Sequence, residues 1–345
     1  MSEVIVGREG GLGRLSLNRP DALHALTLGM CQAMTEALLA WRDDPEVAAV
    51  LIDHVAGRGF CAGGDIRMLA ESGAGDGAAA RRFFHTEYRL NHLLFTYPKP
   101  VTAIMDGGVM GGGVGISLPA RVRIATERTT FAMPETGIGL FPDVGGGWHL
   151  PRLPGASGMW LALTGARIKA ADCLAQGLAT HRVESGSLDA LKDALAAAAE
   201  NPAAAADRFA VEPGPSTLDR ARIDALFGRD SVEGIVAALE ADGSAWAAEQ
   251  RAVLAAKSPQ TLQVAFRQLR TGAALTDFAD VMRMEYRIAS RVVRRHDFLE
   301  GVRAVIVDKD NAPRWSPADL DGVDDALLDE IFAPLPAGEE WSPLP

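Results

Sequence analysis

Two continuous apolar runs, VAAVLIDH at 47–54 and PVTAIMDG at 100–107, constrain this chain more than any other feature in it. A strand that is apolar on both faces needs cover on both, which is the condition of a parallel strand inside a layered fold. Between the two runs, RRFFHTEYRLNHLLF at 81–95 carries its apolar residues at helical spacing, so the connection is an amphipathic helix crossing from one strand to the next. The alternation continues with a helix through VGISLPA and a strand at RVRIAT. Upstream, EVIVG and GRLSLN read as two short strands joined by a glycine-rich turn, followed by a helix through Cys31, Met34, Leu38 and Trp41. The fold class is α/β with crossover connections.

From about residue 150 the pattern turns helical, through GASGMWLALTG, ADCLAQG and LDALKDALAAAA, with few strand candidates up to about 300. AVEPGPSTLDR at 210–220 has the Pro and Gly content of a hinge. The expected organisation is an α/β core over 1–210, a helical C-terminal region over 211–335 and a poorly ordered tail over 336–345.

Composition narrows the partners. The 345 residues are 48% apolar, enough to bury a core, and carry a net charge of −11 without a basic-aromatic stripe, which argues against nucleic acid. Cys31, Cys61 and Cys173 are far apart and odd in number, so neither a disulfide framework nor a zinc knuckle is expected, and the compartment is a reducing one. The N-terminal stretch lacks the pattern of a signal peptide and no apolar run spans a bilayer, so the expectation is a cytoplasmic protein without a membrane segment. The seven histidines show no metal-ligand spacing, and neither G-x-S-x-G nor H-E-x-x-H occurs.

Three segments carry the chemistry. GRGFCAGGDIRML, 57–69, runs from a strand into a helix, with Asp65 at the helix start and consecutive glycines that let backbone N–H groups approach a ligand. Gly57, Gly59 and Ala62 also match G-x-G-x-x-A, but Phe60 and Cys61 inside it and the lack of a ribose-binding acid argue against a dinucleotide. DGGVMGGGVGISLP, 106–119, places three glycines at a second strand-to-helix junction. Two such loops could supply one N–H apiece to the same oxygen, the construction of an oxyanion hole. MPETGIGLFPDVGGG, 133–147, holds Glu135 and Asp143 among apolar neighbours. Glu135 is expected to be desolvated and raised in pKa, whereas Asp143 also suits the cap of a following helix. Glu87 lies on the apolar face of the 81–95 helix, either paired to a basic neighbour or lining a polar pocket.

GRGFCAGGDIR, KPVTAIMDGGVMGGGVGIS and FAMPETGIGLFPDVGGGWHLPRL together resemble the crotonase, or enoyl-CoA hydratase/isomerase, superfamily, and within it the branch of 3-hydroxyisobutyryl-CoA hydrolases. FFHTEYRLN, LALTGARI and FLEGVRAVIVDKDNAPRWSPA extend the likeness over most of the chain. The resemblance implies a spiral of ββα units with a helical C-terminal region, and an acyl-CoA substrate whose thioester carbonyl is held by the amides of Gly64 and Gly112. It implies Glu135 and Asp143 as catalytic acids, and substrate contacts at Gly63, Asp65, Arg67 and Glu87. It also implies no metal or prosthetic group, CoA entering only as part of the substrate, and a homo-oligomer, trimer or dimer. Hydratases of this superfamily typically pair the P-E glutamate with another shortly after the glycine triplet. That position is Gly115 here, which favours hydrolysis of a β-hydroxyacyl thioester, a step of valine catabolism, over hydration or isomerisation of an enoyl-CoA.

Overall fold

The computed structural model describes residues 2–345. In chain order its strands are β1 (Val4–Glu9), β2 (Leu12–Leu17), β3 (Ala49–His54), β4 (Gly59–Cys61), β5 (Val101–Met105), β6 (Gly108–Met110), β7 (Val122–Ala125), β8 (Thr130–Ala132), β9 (Ile168–Lys169) and β10 (His181–Arg182). They form a six-stranded sheet in the order β1-β2-β3-β5-β7-β10 and a four-stranded sheet in the order β4-β6-β8-β9. Antiparallel pairing is confined to β1–β2 and β8–β9.

The pairs β3/β4, β5/β6 and β7/β8 each give their first strand to the larger sheet and their second to the smaller. Helices carry the chain back: α1 (Leu28–Arg42) leads into β3, α2 (Ile66–Gly73) and α3 (Ala78–Phe95) into β5, and α4 (Gly112–Ser117) into β7. This is the spiral of ββα turns that the resemblance implies. Thr27 starts α1 by accepting a hydrogen bond from the Met30 amide at 3.2 Å, and the helix buries Met30, Cys31, Met34 and Leu38.

The alternation of β3 explains the unbroken apolar run 49–52 within it. Val50 and Ile52 face the main core, while Ala49 and Leu51 face a second core against Leu188, Leu191 and Leu195 of the helix Leu188–Ala197. A strand sandwiched in this way turns apolar side chains to both layers, and its buried acid, Asp53, is paired with Arg14 at 2.8 Å and Lys192 at 3.0 Å.

The main core runs without a break from Val4 on β1 to Trp341 near the C-terminus, so residue 210 does not separate two independent cores. The segment at 210–220 is also tied down: Asp172 accepts from the Thr217 amide at 2.7 Å and from the Ser216 hydroxyl at 2.8 Å. The tail is docked as well. Trp341 is fully buried, its indole N–H donating to the His85 carbonyl at 3.2 Å, and Glu339 and Glu340 pair with Arg81 and Arg287. Its Pro and acid content suggested disorder, but the acids answer basic residues on α3 and on the helix Phe278–Val292, and the Trp fills a core site.

Candidate active site

Three loops leave the smaller sheet at one edge. β4, β6 and β8 are parallel neighbours, with Cys61 beside Val109 and Met110 beside Ala132. The residues that follow them, Gly63–Gly64, Gly111–Gly112 and Met133–Glu135, are thereby brought together at the carboxyl ends of parallel strands, where α/β sheets form ligand crevices. The glycine loops touch: a Cβ built on Gly63 would lie 3.6 Å from the Gly111 Cα and 3.7 Å from the Gly112 nitrogen. Gly63 has φ +111°, a backbone conformation that favours the absence of a side chain.

The same loops free two amides. Leu26 donates to the Gly63 carbonyl at 2.7 Å and accepts from the Asp65 amide at 3.0 Å, a parallel bridge that turns the Gly64 N–H away from Leu26. Gly112 opens α4, where the first N–H groups have no acceptor within the helix. Gly64 and Gly112 line one cavity of about 370 Å³, together with Gly63, Gly111, Glu87, Glu135 and Asp143.

The three acids reach this cavity from different elements. Glu135 begins a single 3-10 turn, Glu135–Ile138, directly after Pro134, and Oε2 has no hydrogen-bond partner among the described residues. Burial pushes its carboxyl well above the usual range, Asp143 adds repulsion, and Lys257 opposes both. Glu87 projects from the buried face of α3 and is likewise pushed well up by burial and by Asp143. Its Oε1 is also without a partner. Asp143 is raised to about 6 by burial, against the Tyr88 hydroxyl that donates to Oδ2 at 2.8 Å and favours the anion.

Two expected residues, Asp65 and Arg67, fall elsewhere, and Asp143 holds its place in the cavity without the capping role. Asp143 does not cap the following helix α5 (Gly146–His149): that position is taken by Gly145, and the amides of Gly145 and Gly147 donate to Glu285 at 2.8 Å each. Asp65 is turned out of the cavity, accepting from the Met68 amide at the start of α2 and pairing with Arg19 at 2.9 Å. The reason is the helix N-terminus, whose orphan amides attract a carboxylate. Arg67 is exposed and donates to the Ile306 carbonyl at 3.3 Å, so it stands at the rim of the cavity. Of the expected set, Gly63, Gly64, Gly112, Glu87, Glu135 and Asp143 are brought together, and Asp65 and Arg67 are not.

Sequence reasoning missed Tyr88, Lys257, Arg167 and Glu285. Lys257 and Arg167 are the cations of the cavity lining. Glu285 is fully buried on the helix Phe278–Val292, and burial pushes it up to about 8 although its two amide bonds and Gln268 favour the anion. Glu285 sits four after Val281 and three before Ile288, an acid on an apolar face, the signal that singled out Glu87. Among the described residues no three His, Cys, Asp or Glu side chains are grouped to hold a metal ion.

The family model described as enoyl-CoA hydratase/isomerase matches residues 12–332. The chain belongs to that family. Curated relatives include the mitochondrial 3-hydroxyisobutyryl-CoA hydrolase of Gallus gallus, 44% identical over 97% of this chain and 89% of the relative. The mitochondrial 3-hydroxyisobutyryl-CoA hydrolase of Homo sapiens is 43% identical over 96% and 89%. Among solved structures, one described as a carnitinyl-CoA dehydratase from Mycobacterium thermoresistibile superposes with a TM-score of 0.94 at 43% identity, covering 99% of both chains. An enoyl-CoA hydratase from Rhodobacter sphaeroides 2.4.1 gives 0.89 at 38%, covering 99% of this chain and 100% of the other. The crotonase-like ββα architecture is common to them, whereas the names divide between hydrolysis and addition or removal of water.

Proposed function

We propose that this family member hydrolyses the thioester of 3-hydroxyisobutyryl-CoA or a similar β-hydroxyacyl-CoA, in the setting of valine catabolism. The observation that carries the choice is the packing of Gly115. A Cβ there would lie 2.7 Å from Asn91 Nδ2 and 2.7 Å from Val144 Cβ, so the second glutamate that hydratases typically carry has no room to stand. The full-length hydrolase relatives support the same choice over the hydratase and dehydratase names.

In this reading the thioester carbonyl oxygen accepts from the Gly64 and Gly112 amides. Charge that develops on it in the tetrahedral state meets dipoles already in position, each worth about 2.7–4 kcal/mol. Glu135 then follows one of two routes. As nucleophile its carboxylate adds to the carbonyl carbon, the C–S bond breaks with its electron pair on sulfur, and water opens the mixed anhydride. As general base it takes a proton from water, whose oxygen forms the new C–O bond while the thiolate leaves. Asp143, held by Tyr88, orients the water or the substrate hydroxyl, and Glu87 and Gly63 line the acyl end. Acid, water and thiol balance without a further reagent, so no cofactor is invoked and CoA belongs to the substrate. A homo-oligomer, trimer or dimer, and a cytoplasmic location are parts of the reading, the second supported by three buried unpaired thiols. No helix is long and apolar enough to cross a membrane among the described residues.

Free-thiol release from 3-hydroxyisobutyryl-CoA tests the proposal. In Glu135→Gln the rate is expected to fall by about 10²–10⁴-fold, and an unchanged rate would remove Glu135 from the mechanism.

A further inference from the structure

Lys257 is a cation without a counterpart. It stands at the start of the loop before the helix Pro259–Ala274, half-buried, and no carboxylate oxygen of the described residues lies within ion-pair distance of its Nζ. The side chain runs against the catalytic turn: a Cβ built on Gly137 would lie 3.1 Å from Nζ and 3.8 Å from Cδ. Its backbone is fixed there. The Lys257 amide donates to the Leu254 carbonyl at 3.0 Å and the next amide, Ser258, donates to the carbonyl of Thr136, the residue after Glu135, at 3.2 Å. The Ser258 hydroxyl is held in turn by Asp297 at 2.5 Å. A long, strongly hydrated side chain is thereby kept over an apolar-walled cavity, at a desolvation cost that a surface lysine avoids.

The cavity has a charge problem that this arrangement addresses. The charged and titratable groups around Glu135 are Glu87 from α3, Asp143 from the loop before α5, and the cations Lys257 and Arg167. Those facing Lys257 are Glu135, which favours the ammonium, and Arg167, which opposes it. Either proposed route requires Glu135 as an anion beside two other buried acids. We propose that Lys257 is a positioning residue of this site, whose ammonium, anchored to the Glu135 turn through Ser258, offsets part of the burial and of the Asp143 repulsion that oppose the carboxylate form of Glu135, the form that attacks or takes the proton. The gap between Nζ and the carboxylate leaves Glu135 unblocked by a direct ion pair, and so free to react.

The competing role for a lysine at such a mouth is to hold a phosphate of the CoA moiety, and a phosphate-free thioester separates the two. Lys257→Met and Lys257→Arg are compared with wild type on 3-hydroxyisobutyryl-CoA and on the N-acetylcysteamine thioester of the same acid, across pH. The expected result is that the acid limb of kcat/KM moves up by about one unit or more in Lys257→Met on both thioesters, and returns toward wild type in Lys257→Arg. A KM increase confined to the CoA ester, with the pH profile in place, overturns the inference and assigns Lys257 to phosphate.

Because the inference rests on the proposed hydrolase reading, a second readout needs no turnover. The infrared band of the protonated Glu135 carboxyl, identified by its loss in Glu135→Gln, is titrated in wild type and in Lys257→Met. A midpoint shifted upward in the variant supports the inference even if no thioester is hydrolysed, and coincident midpoints overturn it even if one is.

Discussion

The Tyr88 hydroxyl donates to Asp143 Oδ2 at 2.8 Å, joining the residue after Glu87 on α3 to the second acid of the 133–147 segment. This bond gives the anion of a buried aspartate its side-chain support, and without it burial would be opposed by a backbone hydrogen bond alone. The expected consequence is a midpoint near 6 for Asp143 in wild type and a higher one in Tyr88→Phe, followed by the carbon-13 shift of the Asp143 carboxyl. Coincident titrations would show that the hydroxyl does not stabilise the charge.

Glu87 makes a prediction about stability. Its folded-state pKa lies well above the ordinary 4.5, so the proton is bound more tightly by the folded chain than by the unfolded one. Stability from that difference is fully present below the unfolded value and is lost as pH rises through the folded one. Glu87→Gln cannot ionise, and its advantage over wild type is expected to grow by about 1.4 kcal/mol per pH unit above that range until the native Glu87 itself ionises. Thermal unfolding midpoints of the two proteins should therefore separate at neutral pH and converge toward pH 4.5.

Gly115 is packed too tightly for its replacement to change the chemistry. Gly115→Ala is expected to cost about 1–3 kcal/mol in urea unfolding, because the methyl must displace Asn91 or Val144. Gly115→Glu is expected to unfold the site rather than convert it, with no gain of crotonyl-CoA hydration. A folded, hydrating Gly115→Glu protein would overturn the argument that separates hydrolase from hydratase here.

The docked C-terminal tail can be weighed directly. Trp341→Ala removes a side chain that is 1% exposed and lies against His92 of α3, so the loss should fall toward the lower end of about 3–5 kcal/mol, since the chain end can undock. A denaturant midpoint equal to that of wild type would return the tail to the poorly ordered state its composition suggested.

Legibility followed the range of the interactions. The strands at 47–54 and 100–107 were readable because burial on both faces leaves an unbroken apolar run, and β3 does feed two cores from alternate residues. The glycine loops were readable because Gly63 and Gly111 both take positive φ and a Cβ on Gly111 would press to 3.1 Å of the Gly63 Cα. What the chain did not disclose was which acid faces which element. Asp65 and Asp143 both precede helices, yet one caps its helix and the other turns to Tyr88, a partner 55 positions away. Glu285 lies 140 positions beyond the Gly145 amide it holds. Such pairings depend on how distant helices are laid against the core, and no local pattern encodes them.

The measurement that bears most directly on the central claim is a paired assay on one preparation: thiol release from 3-hydroxyisobutyryl-CoA alongside the loss of crotonyl-CoA absorbance. Thiol release with crotonyl-CoA untouched is the expected result, in keeping with an oxyanion site served by Glu135 and a filled Gly115 position. Loss of crotonyl absorbance without thiol release would contradict it and make the protein a hydratase.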